Sequence, residues 1–142
     1  MKSLVLILII TAFTQYSMVH ENNDLYIKAL FLHIDELPSA KPDTIIVQKD
    51  DYLPDNLPYT IKKHTIKYIS EKEVDNYEGN KISLKKILPI QVENDMIIIR
   101  IADFSYTPKS KLWVGFGGSY YKFKYNCDEK VFKFFEKVNY GI

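Results

Sequence analysis

The fold is decided by residues 88–101, which read LPIQVENDMIIIRI. Asn94 and Asp95 form a good two-residue turn, and pairing the residues on either side of it places six apolar side chains on one face. The other face receives a mixture of polar and apolar residues, as a half-buried hairpin requires. The sequence therefore predicts an antiparallel hairpin with Val92 opposite Ile97, Ile90 opposite Ile99, and Leu88 opposite Ile101.

Two further strands are predicted after this hairpin. Residues 119–127 alternate, with Tyr121, Phe123, Tyr125 and Cys127 on one face and mainly polar residues on the other. The Gly-rich stretch at 113–118 lacks the Lys-Ser or Lys-Thr ending of a phosphate-binding loop, so it predicts a bend or bulge. Residues 131–140 fit both the helical and the strand period. Their aromatic and β-branched content favours a strand that closes an antiparallel meander.

An amphipathic helix is predicted before the hairpin, at residues 23–37. Asn23 or Asp24 can cap its start, and Pro38 ends it. Its apolar stripe consists of Tyr26, Ile27, Leu30, Phe31, Ile34 and Leu37. His33 lies at the border of this stripe, which favours a histidine at the rim of the core.

The segment between helix and hairpin is predicted from turn and capping signals. Residues 44–48 form a short strand between Pro-rich loops, and residues 59–69 form a strand whose lysines indicate an exposed sheet edge, with His64 in solvent. Ser70 and Glu73 form a capping box that opens a short helix ending near Gly79. Residues 83–88 are expected to add another helical turn. The whole pattern predicts an α+β fold, with the N-terminal helix packed on a mainly antiparallel, curved sheet that ends in a C-terminal meander.

The amino terminus reads as a secretory signal peptide. Lys2 precedes an apolar run at 4–10, and cleavage after Thr14, or a few residues later, leaves small residues at the two specificity positions. The run is shorter than the roughly 20 residues of a membrane span. A buried first strand or a retained anchor helix is the alternative. We therefore expect an exported, periplasmic or extracellular protein with one domain at residues 15–142 and no membrane span after leader removal.

Charge and cysteine content exclude several classes of protein. The chain has 19 basic and 18 acidic residues, and loss of Lys2 with the leader leaves 18 of each. A neutral chain argues against nucleic-acid binding, which requires clustered positive charge. Cys127 is the single cysteine, so no internal disulfide forms, and a small buried side chain is favoured over a reactive thiol.

The sequence contains no recognisable catalytic or cofactor motif, and it predicts no metal site. Asp50, Asp51 and Asp55 lack the central glycine and closing glutamate of a calcium-binding loop. If the hairpin strand continues, Asp103 lies on its core-facing side, where a carboxylate is costly unless paired or hydrated. It marks either the polar floor of a pocket or the point where the strand leaves the core. The candidate pocket residues are Asp103, Tyr106, Trp113 and His33.

Two resemblances bear on function. The leader followed by Gln15, the run GGSYYKFKYNC at 117–127 and the Gly141-Ile142 ending resemble uncharacterised small exported proteins of Bacteroidota. The order of elements, helix first and long antiparallel strands last, is similar to the nuclear transport factor two-like cone fold, which implies a helix closing a curved sheet over a pocket.

The favoured function is a non-enzymatic binding or interaction domain with a protein or small-molecule ligand. The alternative is a pocket protein that binds or turns over a small molecule through Asp103.

Overall fold

The computed structural model describes residues 25–37 and 43–141. A helix occupies residues 25–35 (α1), in agreement with the predicted helix. The predicted signal peptide, the capping residues Asn23 and Asp24, and Pro38 lie outside the described residues. Helical spacing buries one stripe of α1, formed by Leu25, Tyr26, Ala29, Leu30 and Ile34. Phe31 was predicted on this stripe but is 44% exposed, because it lies at the side of the helix that faces an open groove.

The described residues contain eight strands in one sheet. They are β1 (Thr44–Gln48), β2 (Thr60–Ile61), β3 (His64–Ile69), β4 (Ile82–Ile87), β5 (Gln91–Glu93), β6 (Met96–Thr107), β7 (Leu112–Asn126) and β8 (Val131–Tyr140). The helix α2 (Glu71–Asp75) connects β3 to β4, and a 3₁₀ turn at Pro108–Ser110 connects β6 to β7. The strand order is β2-β3-β1-β4-β6-β7-β8, and β5 also pairs with β6.

The sheet is mixed: five strand pairings among the described residues are antiparallel and two are parallel, so it is mainly but not purely antiparallel. Strand β1 pairs in parallel with both β3 and β4, whereas β6, β7 and β8 form the predicted antiparallel meander. Parallel neighbours require crossover connections, and the residue pattern within a strand carries no information about the direction of its neighbour. The sequence therefore predicted the antiparallel meander and missed the two parallel pairings.

The hairpin at 88–101 is confirmed at its turn and shifted at its far end. Asn94 and Asp95 both have positive φ, 49° and 62°, and Val92 pairs with Ile97. Ile87, rather than Leu88, lies opposite Ile101. Pro89 has no N–H group to donate, so it interrupts the predicted ladder of hydrogen bonds. As a result, the segment from Ile87 to Val92 contains one residue more than the segment from Ile97 to Ile101 that it faces. Val92 is 74% exposed, although it was predicted on the buried face.

Four other local predictions need correction. The strand predicted at 59–69 is a tight hairpin, with Lys62 in the left-handed region at φ 52°. His64, predicted in solvent, is 3% exposed. Residues 83–88, predicted as a helical turn, belong to strand β4. Cys127, predicted to be buried, is exposed because β7 ends at the residue before it.

Other predictions from the same region are confirmed. The strand at 44–48 forms as β1, and residues 131–140 form strand β8. The capping box is present, with Ser70 and Glu73 satisfying each other's backbone N–H groups at the start of α2. The helix it opens ends at Asp75, earlier than Gly79.

Both faces of the sheet carry an apolar cluster. The first cluster packs α1 against residues that include Ile99, Ile101, Tyr121 and Phe123. The second cluster packs Val74 of α2 against Ile69, Ile82, Leu84 and Tyr106. Successive residues of a strand point to opposite faces, so β6 contributes its odd-numbered residues to the first cluster and Tyr106 to the second. The side of the sheet on which each polar residue lies is fixed by this alternation.

Strand β7 contains a bulge where the Gly-rich stretch predicted one. Gly117 lies opposite Asp103 and Gly115 lies opposite Phe104, which leaves Phe116 without a partner. Gly117 has φ +117°, a conformation that L side chains rarely adopt. The bulge places the Phe116 side chain, which is 50% exposed, near the polar residues His33 and Glu36 at the C-terminal end of α1.

Candidate functional site

A polar cleft of about 360 Å³ lies between the C-terminal end of α1 and strands β6, β7 and β8. We call it the His33 cleft. Its polar and aromatic walls are formed by His33, Glu36, Asp103, Phe116, Ser119, Lys137, Asn139 and Tyr140. Gly117 lies opposite Asp103 in the sheet, so no side chain from that position fills the space beside the carboxylate. The cleft therefore exists because the apolar cluster under α1 ends where β7 becomes glycine-rich.

His33 is the most buried polar side chain of the cleft walls apart from Ser119, with 6% of its surface exposed. Its Nδ1 atom lies 2.9 Å from the hydroxyl oxygen of Tyr121. Its Nε2 atom has no hydrogen-bond partner among the described residues and lies 4.0 Å from Oδ1 of Asp103. A buried imidazole nitrogen without a partner is costly unless a ligand or water supplies one.

The imidazole of His33 is neutral at physiological pH. Its pKa is lowered from 6.5 to about 4, mainly by burial, with a smaller contribution from the positive charges of Lys85 and Lys137 and an opposing effect of Asp103. The neutral ring offers one donor and one acceptor nitrogen, so the tautomer adapts to the group it meets. The side chain is suited to hydrogen bonding with a neutral ligand.

Asp103 is held by a cross-strand ion pair. It lies directly opposite Lys85 in the antiparallel pairing of β4 and β6, and the two side chains form a hydrogen-bonded ion pair. The Lys85 side chain is 13% exposed and that of Asp103 is 38% exposed. The Asp103 carboxylate is thus partly exposed to the cleft, and its charge is balanced by the ammonium group of Lys85 on the neighbouring strand.

A second ion pair closes the cleft on the other side. Lys137 of β8 bonds Glu36 at the end of α1, and its ammonium lies 5.8 Å from the centre of the Tyr121 ring. The Ser119 hydroxyl donates to Asn139 Oδ1 at 2.8 Å. Burial raises the pKa of the Tyr121 hydroxyl, with a smaller opposing effect from Ser119. The two ion pairs cancel in charge, which leaves a cleft rich in donors and acceptors but electrically balanced.

The structure brings together two of the four sequence-predicted pocket residues. Asp103 and His33 face the cleft. Tyr106 and Trp113 instead stack with ring centroids 4.6 Å apart in and beside the second apolar cluster, on the opposite side of the sheet. Tyr106 follows Asp103 by an odd number of residues along a regular strand, so alternation sends the two side chains to opposite faces.

Sequence reasoning missed the residues that complete the cleft. Lys85 had been assigned to a helical turn, and Lys137 lay in a segment that fitted both periods. Tyr121 was predicted only as one of the residues on a face of its strand, and Ser119 was assigned no role. The signal that locates Lys85 is the alternation of residues 82–87, in which Ile82 and Leu84 are buried on one face and Lys85 shares the other face with the buried Ile87. Pairing that strand with β6 places a lysine opposite Asp103.

An apolar groove of about 630 Å³ lies on the same face of the sheet, between α1 and β8. We call it the α1–β8 groove. Its apolar walls are Ile27, Phe31, Leu32, Phe123, Val131, Phe132 and Phe134. It is distinct from the His33 cleft in position and in chemistry, since its lining contains lysines but no carboxylate.

The described part of the chain offers neither a metal site nor a membrane-spanning helix. No group of three or more metal-ligating side chains is present there. Asp50 accepts hydrogen bonds from Gln48 and Tyr52, and Asp55 pairs with Lys49, so these acids bond neighbouring side chains. No helix within residues 25–37 and 43–141 has the length and apolar character needed to span a bilayer.

Comparison with known proteins gives no relative. No protein-family model, curated protein or solved structure matches the chain.

Proposed function

We propose that this protein is an exported, non-enzymatic binding domain, and that the His33 cleft holds a small, neutral, hydroxyl-bearing ligand. The observation that carries the proposal is the buried His33 Nε2 atom, which has no partner among the described residues and lies 4.0 Å from the half-exposed Asp103 carboxylate. A ligand hydroxyl can donate to one of these groups and accept from the other, and so satisfies both.

The charge balance of the cleft supports a neutral ligand. Asp103 is paired with Lys85, and Glu36 is paired with Lys137, so a charged molecule finds no uncompensated charge of opposite sign in these pairs. The half-exposed ring of Phe116 supplies an apolar surface at the same place. A sugar or related polyol combines hydroxyl groups with an apolar C–H face, which matches both features. The volume lies in the range of small-molecule sites.

Turnover of the ligand is the second candidate function. It is favoured by the neutral state of His33, whose Nε2 atom is able to accept a proton. Two observations weigh against it. The pKa of about 4 makes the imidazole a weak base at neutral pH, since general-base catalysis is most effective when the pKa lies near the working pH. The Asp103 carboxylate is already bonded to Lys85 rather than to the imidazole.

Replacement of Asp103 by asparagine is expected to weaken ligand binding. Chemical-shift changes in the backbone amides of Gly118 and Ser119 would be followed by NMR during titration with neutral mono- and disaccharides. Loss of the carboxylate removes a charge-assisted hydrogen bond, which predicts at least about a tenfold rise in the dissociation constant. The matched control is Asp55→Asn, because Asp55 also pairs with a lysine but lies outside the cleft.

Two kinds of result would contradict the binding of a neutral ligand in the His33 cleft. Shift changes confined to residues away from the cleft, or equal loss of affinity in Asp103→Asn and Asp55→Asn, would show that the cleft is not the site. Binding of sugar phosphates in preference to the neutral sugars would contradict the proposed ligand class.

Export is supported by the amino-terminal sequence, with its short apolar run and small residues before Gln15. Mass spectrometry of the protein isolated from the periplasmic or extracellular fraction is expected to find a mature chain that begins at Gln15 or a few residues later. Recovery of the intact chain from the cytoplasm would contradict this prediction.

A further inference from the structure

We infer that β8 pairs with β8 of a second copy of the chain, antiparallel about a two-fold axis, and that this dimer covers the α1–β8 groove. The two edges of the sheet differ. Strand β2 at one edge has two residues and is followed by a turn of two lysines, whereas β8 at the other edge has ten residues. Short, charged edges resist pairing, and a long edge such as β8, to which no other strand of residues 25–37 and 43–141 is paired on its outer side, invites it.

The β8 edge carries exposed apolar side chains on both of its faces. They are Val131, Phe134, Phe135 and Val138, between 37% and 59% exposed. Phe31 of α1, 44% exposed, lies beside them across the α1–β8 groove. An exposed apolar surface that continues from a groove to the outer edge of a sheet is typical of an interaction site.

The bulge in β8 gives the strand a self-complementary pattern. Phe135 has no partner in β7, because Glu136 lies opposite Lys122 and Phe134 lies opposite Phe123. Lys133 lies opposite Lys124. Since Lys122 and Lys124 share one face of β7, Lys133 and Glu136 share one face of β8 despite their odd separation.

A two-fold axis between Phe134 and Phe135 uses this pattern. It places Lys133 opposite Glu136 of the second copy, and Val131 opposite Val138 of the second copy. Within one chain Lys133 faces Lys124, a like-charge pair that is unfavourable across strands. Lys133 bonds Glu129 of its own chain and Glu136 bonds Lys122, so the second copy's Glu136 would join these two ion pairs into a network across the axis. The same strand thus provides both halves of the contact, which favours a second copy over an unrelated partner.

The dimer is tested by sedimentation velocity of the purified protein over a dilution series. The unsubstituted protein is expected to dissociate from dimer to monomer on dilution, and Phe135→Lys is expected to raise the dissociation constant at least about tenfold through like-charge repulsion at the axis. Val92→Lys is the matched control, because Val92 is a 74% exposed apolar residue of another strand. It is expected to leave the dimer unchanged.

A charge exchange tests the register, with thermal melting as its control because each substitution also removes an ion pair within the chain, Lys133–Glu129 or Lys122–Glu136. Lys133→Glu and Glu136→Lys should each weaken the dimer, and the double substitution should restore it, because the opposing charges are then exchanged on both copies. Thermal melting followed by circular dichroism separates loss of the dimer from loss of the fold. A monomer at every concentration, or a double variant no better than the single variants, would overturn the inference.

Discussion

Replacing Gly117 by alanine is expected to destabilise the protein by about 3 kcal/mol, since a positive φ costs a non-glycine residue about 1–3 kcal/mol and a steric clash adds to it. Gly117 has φ +117°, and an added Cβ would lie 2.3 Å from the backbone oxygen of Tyr140. Backbone cannot rotate away from the clash as a flexible side chain can. The β7 bulge and the end of β8 must therefore separate, which also opens the His33 cleft.

Gly115→Ala is the matched control for this prediction. Gly115 lies in the same strand, and an added Cβ would make ordinary contact, 3.4 Å from the Phe104 ring. Its stability is expected to stay within about 1 kcal/mol of the unsubstituted protein, because alanine costs less backbone entropy than glycine in a strand. Urea unfolding of both variants measures the difference. Equal stabilities would mean that the bulge does not need glycine at position 117.

The protein is expected to lose about 3 kcal/mol of stability as the pH falls from 6.5 to 4, through His33 alone. Burial, with Lys85 and Lys137, holds the pKa of folded His33 at about 4, whereas the unfolded side chain titrates near 6.5. Between these values the unfolded chain binds a proton that the folded chain does not. The contribution is fully present above pH 6.5, declines through the window, and changes no further below pH 4.

Urea unfolding at a series of pH values measures this effect. His33→Gln removes the titrating group and should flatten the slope between pH 6.5 and 4, whatever it costs in overall stability. Tyr121→Phe removes the hydrogen bond to Nδ1 but keeps the imidazole buried, so its slope should persist. If His33→Gln keeps the full slope of the unsubstituted protein, other groups produce it and His33 is not held neutral.

Local sequence signals predicted the parts of the fold that local physics determines. The apolar stripe of α1, the Asn94-Asp95 turn, the capping box at Ser70 and the meander from β6 to β8 depend on residues close in sequence. The parallel pairing of β1 with β3 and β4 depends on a crossover, and no residue within β1 encodes it. The shift at Pro89 was readable in principle, since a missing N–H predicts a break in the ladder.

The sequence predicted Asp103 and His33 of the candidate site, but not the two lysines that pair with its carboxylates. Face alternation placed Asp103 on the side that α1 covers, and the structure puts His33 of α1 beside it. The same rule, applied to Tyr106, would have removed that residue and its neighbour Trp113 from the set. Lys85 and Lys137 reach the site through strand pairing, so they are found only once β4 and β8 are paired with their neighbours.

The contacts that join α1 to the end of the chain have a consequence for folding. His33 bonds a residue 88 positions later in the sequence, and Glu36 bonds one 101 positions later. The first contact needs β7 and the second needs β8, so a nascent chain that lacks both strands can form neither, and contacts this distant carry a large loop-closure cost before they stabilise the fold. We expect the domain to acquire its native state late and slowly, after synthesis of the final strand, which is compatible with the proposed export of the protein as an extended chain.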